Sequence, residues 1–101
     1  MNSQIEPEQI NDQGHLTIGG VDSLEVAAQY QTPLVVYDVA AIRHQIRAFK
    51  KVFAKNQVAA EVSYASKAFS AIAIYQVVAQ EDGHIDVVSG GELTTAIKAH
   101  F

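Results

Sequence analysis

The chain has 101 residues, of which 49% are hydrophobic and 18% charged, values typical of a globular domain with a modest core. It contains no cysteine, which excludes a disulfide framework and a thiolate metal site within these residues. The net charge of −4, the lack of a dense basic cluster and the lack of a long apolar run argue against nucleic-acid and membrane partners, and make a cytoplasmic location the default expectation.

The first 31 residues form a leader without lysine or arginine. Residues 1–14 are polar and acidic, which is typical of a solvated leader, although an acidic docking tail is an alternative. Residues 15–21 are predicted to form a short strand that ends in a turn at Gly19 and Gly20. Asp22 or Ser23 can then cap a short helix.

The first strand–helix pair follows a boundary at Thr32 and Pro33, because proline disfavours helix in the residue before it. Residues 34–37 are continuously apolar, which predicts a strand buried on both faces of a parallel sheet. Asp38 can cap the next helix. One face of this helix is apolar: Val39, Ile42, Ile46, Phe49 and Phe53.

The basic residues of this helix, Arg43, Arg47, Lys50 and Lys51, lie mainly off the apolar stripe. A basic amphipathic helix can bind a membrane surface. We favour a sheet-flanking helix with solvated charges, because strands are predicted on both sides of it in the sequence.

The second pair carries the most informative residue of the chain. Residues 58–65 alternate in the manner of a strand, and Lys67 follows where that strand ends. Binding sites of β/α folds gather at the carboxyl edge of the sheet, and a lysine in such a place can attack a carbonyl to form a Schiff base. A solvated surface charge is the alternative interpretation of the residue taken alone.

Two helices and one strand complete the chain. A largely apolar helix is predicted over residues 70–81, with Gly83 suited to a left-handed helix end. Residues 85–88 are predicted to form a strand, and Ser89 with Glu92 fits a capping box at the start of the last helix. Three successive strand–helix pairs predict a parallel sheet with right-handed crossovers.

Three segments in this order are similar to one known family. Residues 64–69 (YASKAF) resemble the cofactor-lysine motif of the pyridoxal-phosphate decarboxylases with an alanine-racemase-like barrel. Residues 32–38 (TPLVVYD) and residues 86–93 (DVVSGGEL) match before and after it, and the last run most resembles the branch that converts diaminopimelate to lysine. The resemblance spans residues 15–101.

The resemblance implies an α/β fold, namely the N-terminal part of a parallel (β/α)8 TIM barrel. Residues 1–31 would contribute to a separate β-domain, and residues 32–101 would form the first three β/α units. Because a complete barrel takes about 250 residues, we expect the N-terminal portion of a larger enzyme, inactive by itself. The resemblance also implies pyridoxal 5′-phosphate as cofactor, an amino acid as the small-molecule substrate and a homodimer as the full-length form.

The resemblance assigns roles to two side chains. Lys67 is expected to be the catalytic residue that holds pyridoxal phosphate as a Schiff base and then serves as an acid–base group. Asp86 matches an aspartate that lies near the cofactor in related decarboxylases, and its alternative is a strand-end polar residue bonded to nearby backbone. For Glu92 we favour a helix cap over a catalytic acid.

Three other interpretations stay open at this point. One is another pyridoxal-phosphate decarboxylase or racemase of the same fold, although residues 86–93 argue against a racemase. Another is a non-catalytic pyridoxal-phosphate-binding protein, which the strand-like leader disfavours. The last is a β/α interaction fragment in which Lys67 is an ordinary charge. The histidines are scattered without metal-ligand spacing, so no metal site is predicted.

Overall fold

The computed structural model describes residues 9–101, so the expectation for the first eight residues lies outside the described part of the chain. The chain divides into two compact units, Met1–Asp38 and Val39–Phe101. The assignment of residues 1–31 to a separate β-domain and of residues 32–101 to a barrel stays a prediction.

The first unit contains a β-hairpin followed by a helix. Strand β1 (Thr17–Ile18) pairs antiparallel with β2 (Val21–Asp22), and helix α1 (Ser23–Tyr30) follows. Gly19 and Gly20 have φ angles of 59° and 81°, the positive values that a two-residue type I′ hairpin turn requires. The sequence predicted the strand and the glycine turn but not the return strand, which is only two residues long.

Asp22 joins the hairpin to α1. One carboxylate oxygen accepts the Leu24 N–H at 2.8 Å and caps the helix, while the other lies 2.8 Å from His15 Nδ1 and accepts from Asn11 at 2.9 Å. These contacts, led by His15, lower the pKa of Asp22 to about 2. Of the two predicted caps, Asp22 is therefore the one the structure uses.

The predicted strand over residues 34–37 is absent, and this expectation was wrong for the structure. Both sheets in the described part of the chain have two strands, and neither pairs with this segment. A strand is defined by its ladder of hydrogen bonds to a neighbour, so an apolar run without a pairing partner stays irregular. Its side chains are accordingly exposed, Val35 to 76%.

The second unit alternates helices and strands around a parallel pair. Its elements are α2 (Val39–Lys55), β3 (Ser63–Ala65), α3 (Ile72–Gln80), β4 (His84–Asp86) and α4 (Gly90–Lys98). Strands β3 and β4 are parallel, with Tyr64 opposite Ile85, as the β/α alternation predicted. Both strands are shorter than predicted, which gives an α/β arrangement with small sheets.

The core of this unit forms where α3 and α4 meet the strands. Tyr75 is fully buried and clusters with Ala96 and Ala99, while Tyr64 and Ile85 pack against them. On α2 the predicted apolar stripe is buried at its centre, Ile46, whereas Phe49 is half exposed. Within this unit, the helix therefore buries the centre of its apolar stripe.

Three basic residues of α2 bind the end of α3, contacts that the interpretation as solvated charges did not include, although Arg47 remains 67% exposed. Arg43 and Arg47 contact the Glu81 carboxylate at 3.0 and 2.7 Å. Lys50 Nζ donates to the main-chain oxygens of Glu81 and Asp82, the latter at 3.1 Å. The partners lie 31 to 38 residues away in sequence, beyond the reach of helical periodicity. We call this group the α2–α3 clamp.

Acid should open the α2–α3 clamp. The hydrogen bonds from Arg47, and then those from Arg43, lower the pKa of Glu81 from its ordinary value to about 2. Because the folded pKa is depressed, the stability it contributes is present above about pH 4.5 and lost as the pH falls toward about 2. The difference in melting temperature between the wild type and Glu81→Gln should therefore be largest near neutral pH and should close through this window.

The control for this experiment is Glu25→Gln, which changes an exposed carboxylate on α1. Its effect on the melting temperature should be small across the same pH range. A gap for Glu81→Gln that stays constant down to pH 2 would contradict the role of the clamp.

The end of α3 also differs from the sequence-based expectation. Asp82, with φ 52°, takes the left-handed position that was predicted for Gly83. Gly83 N–H bonds to the Val78 carbonyl and Asp82 N–H to the Ala79 carbonyl, which is a Schellman motif. Gly83 is needed because a Cβ there would lie 2.7 Å from Val78 Cγ1, so close approach and not a positive φ calls for glycine.

Candidate active site

The candidate site lies at the carboxyl edge of the parallel pair β3–β4. In the register of the two strands Ala65 stands opposite Asp86, the last residue of β4. Lys67 follows Ala65 in a short 3₁₀ helix, Ser66–Ala68. The structure therefore brings the two predicted site residues, Lys67 and Asp86, to the same edge of the sheet, where β/α folds place their ligands.

Lys67 presents an exposed amine on a fixed backbone. The side chain forms no hydrogen bond or ion pair with another described residue. Its backbone, by contrast, is held on both sides: Tyr64 Oη donates to the Phe69 carbonyl at 3.0 Å, and Ser70 Oγ donates to the Ser66 carbonyl at 2.6 Å. The site thus offers a primary amine to a partner from outside this part of the chain.

Asp86 is held by a serine of the neighbouring strand. Its Oδ1 accepts a hydrogen bond from Ser63 Oγ at 3.0 Å, and its side chain is exposed. A carboxylate at the sheet edge can orient a polar group of a ligand. Its role toward a cofactor stays a prediction.

Ser66 makes contacts at the site that the sequence did not predict. It is completely buried, and its Oγ donates to the main-chain oxygen of Asp86 at 2.7 Å and to the Glu92 carboxylate. One signal could have found it: Ser66 continues the inward phase of Tyr64, and a buried hydroxyl requires a partner. The identity of the partners, 20 and 26 residues away, is not readable from the sequence.

Glu92 is the helix cap that the sequence predicted, with one further contact. Ser89 Oγ accepts the Glu92 N–H at 3.1 Å, and the Glu92 carboxylate accepts from Ser89 Oγ at 2.9 Å and from Val88 N–H at 3.4 Å. The carboxylate therefore reaches back to the amide of Val88, one residue before the cap. The remaining contact is the one from Ser66.

The Glu92 carboxylate is a stabilised negative charge at this edge. The hydrogen bond from Ser66, then those from Ser89 and Val88 and the charge of Lys67, lower the pKa of Glu92 against the opposing effect of burial. The site thus combines an exposed amine with an ionised carboxylate whose field reaches that amine.

Two negative findings concern the described residues. Residues 9–101 contain no group of three or more histidine or acidic side chains placed to hold a metal ion. None of the helices over the same range has the length and apolar character needed to cross a membrane.

Comparison with known proteins gives consistent results. Residues 39–101 match the family model described as pyridoxal-dependent decarboxylase, pyridoxal binding domain. The chain is 54% identical to the diaminopimelate decarboxylase of Bacillus methanolicus over 92 residues, which is 91% of this chain and 21% of that protein. Identity is 54% to the Bacillus subtilis enzyme of the same name and 41% to that of Methanothermobacter thermautotrophicus, over 90% and 92% of this chain. The chain spans about a fifth of the length of these relatives.

Proposed function

Because the chain belongs to the pyridoxal-dependent decarboxylase family, as the match to its pyridoxal binding domain shows, we propose that the protein acts in the decarboxylation of meso-2,6-diaminopimelate to L-lysine and CO2. Relatives with 54% and 56% identity carry the name diaminopimelate decarboxylase, which favours this substrate over other amino acids. Family membership implies pyridoxal 5′-phosphate as the cofactor. The observation that carries the proposal is the exposed Lys67 amine at the β3–β4 edge.

The residues at this edge fit such a cofactor. A primary amine can bond covalently to an aldehyde. The Lys67 side chain ends in such an amine, which forms no hydrogen bond or ion pair with a described residue. A Cβ built on Gly90 meets no atom within 4 Å, so open space lies beside the first turn of α4. Lys67 would hold the cofactor, and Asp86, kept in place by Ser63, would orient it.

The division of labour follows from these positions. When bound, pyridoxal phosphate supplies an electron-withdrawing ring for the electron pair that a departing carboxylate leaves behind. Lys67 Nζ can hold a proton at the strand edge and return it to the carbon that loses the carboxylate. The fixed backbone of residues 66–70 would keep that nitrogen within reach of this carbon, so the protein contributes by orienting the reacting groups.

We also propose that the β3–β4 pair belongs to a (β/α)8 barrel and that the full-length enzyme is a cytoplasmic homodimer. The parallel register and the flanking helices support the barrel. Exposed apolar residues on α4, Leu93 at 50% and Ile97 at 67%, support further packing partners for this unit.

Reductive trapping tests the cofactor role. The full-length protein, with any native sequence that adjoins residues 1–101, would be incubated with pyridoxal phosphate, reduced with borohydride and analysed by peptide mass spectrometry. We expect the label on Lys67, and we expect it to be lost in Lys67→Ala but retained in Lys98→Ala, a change at an exposed lysine in the last turn of α4. A label confined to other lysines, or none, would contradict the proposal.

A further inference from the structure

The Ser66–Glu92 contact exceeds what either residue needs by itself. At the start of α4, Ser89 caps the helix by accepting the Glu92 N–H, and the Glu92 carboxylate accepts from Ser89 Oγ and the Val88 N–H. The buried Ser66 hydroxyl is satisfied by the Asp86 carbonyl at 2.7 Å. The Glu92 carboxylate is thus a second acceptor for the same Ser66 proton, and this contact links the α4 cap to the segment that carries Lys67.

The geometry of the hydroxyl makes this junction sensitive. A serine has one O–H proton, and Ser66 places it between two acceptors, the Asp86 carbonyl and the Glu92 carboxylate. Ser66 is the residue next to Lys67 and has no exposed surface. A shift in the Glu92 carboxylate is thus transmitted to the backbone that carries the amine.

Charge points in the same direction. Lys67 follows Ser66, which donates to the Glu92 carboxylate, so the ammonium and the carboxylate belong to adjoining segments at the sheet edge. The negative charge is anchored by the donors Ser66, Val88 and Ser89, whereas the amine is exposed. A fixed counter-charge restricts where a mobile ammonium spends its time.

We propose that Ser66 and Glu92 are a pair of positioning residues that fix the backbone from which the Lys67 amine extends at the sheet edge, in place for bonding to the cofactor. This inference rests on the proposed role of Lys67. It concerns residues of this chain and makes neither of them a catalytic group. In a purely structural role, the pair would only tie α4 to the strands.

Three variants separate positioning from stability. Ser66→Ala removes the shared donor; Glu92→Gln removes the charge but keeps a side chain that can bond to Ser66; the double variant tests whether the two effects are coupled. The matched control is Thr94→Ala, which removes an exposed hydroxyl bonded to the Gly90 carbonyl within α4. All are compared in the full-length protein.

Two quantities are measured: the yield of borohydride-trapped label on Lys67 over a titration with pyridoxal phosphate, which gives the dissociation constant, and the melting temperature without cofactor. Each single variant should raise the dissociation constant for the cofactor about tenfold, the change expected for one lost charge-assisted hydrogen bond. The label on Lys67 should fall. The double variant should be no worse than either single variant, and Thr94→Ala should match the wild type.

The outcomes distinguish the two proposals. If the variants lower the melting temperature but keep the wild-type label and dissociation constant, the pair is only structural and the positioning inference is overturned. Additive effects in the double variant would likewise overturn the coupling. If the wild type itself gives no label on Lys67, the proposed function fails, and the inference that depends on it fails with it.

Discussion

Lys67→Ala should lower the rate of diaminopimelate decarboxylation by about 10²–10⁴-fold or more. This range is the contribution of one positioned acid–base group. The amine is proposed both to hold the cofactor and to carry a proton, so its removal takes away two functions at once. The side chain is exposed and bonds to no described residue, so its truncation should leave the fold intact. Release of CO2 at saturating substrate measures the effect.

Two variants make this result interpretable. Lys67→Arg keeps the charge but removes the nucleophilic amine, and it should be as inactive as Lys67→Ala. Lys55→Ala, at the end of α2, should keep the wild-type rate. Equal turnover by Lys67→Arg and the wild type would mean that only the charge at this position matters, which contradicts the proposed role.

Tyr75→Ala should cost about 3–5 kcal/mol in the free energy of unfolding, the range for loss of a fully buried aromatic side chain. Tyr75 has no exposed surface and forms the centre of the cluster between α3, α4 and the strands. Its hydroxyl is buried and has no hydrogen-bond partner among the described residues. Tyr75→Phe should therefore be neutral or should stabilise by up to about 1–3 kcal/mol, the cost of an unpaired buried polar group.

The matched comparison is Tyr64→Phe. Tyr64 packs against the same cluster, but its hydroxyl donates to the Phe69 carbonyl at 3.0 Å. Loss of this hydrogen bond in Tyr64→Phe should lower the free energy of unfolding by about 0.5–1.5 kcal/mol. Denaturant unfolding of Tyr75→Ala, Tyr75→Phe and Tyr64→Phe measures the order of their stabilities. Destabilisation by Tyr75→Phe equal to that by Tyr64→Phe would show that the Tyr75 hydroxyl has a partner.

Local signals predicted the framework of the site. A strand before Lys67, a parallel strand that includes Asp86 and a cap formed by Ser89 and Glu92 were each predicted from residues close to them in the sequence. Alternation, turn residues and capping chemistry act over such distances, which is why these elements were found. Strand ends were less well placed, since they depend on how far the neighbouring strand extends.

Long-range pairing accounts for what the sequence did not show. The apolar segment that contains Val35 has strand composition, but a ladder needs a neighbour that composition does not identify. Ser66 is small and polar, and only its burial between Asp86 and Glu92 makes it a site residue. The same holds for Glu81, whose arginine partners come from another helix.

The α2–α3 clamp and the candidate site lie at opposite ends of β4. Glu81 and Asp82 come just before the strand begins at His84, whereas Asp86 ends it at the lysine edge. Three residues of strand span only about 10 Å. This short distance nevertheless separates the residues whose contacts acid should break from those proposed to meet the cofactor. Substitutions meant to increase acid stability can therefore be made before the N-terminal end of β4, while the residues at its C-terminal end, and the chemistry proposed there, are left unchanged.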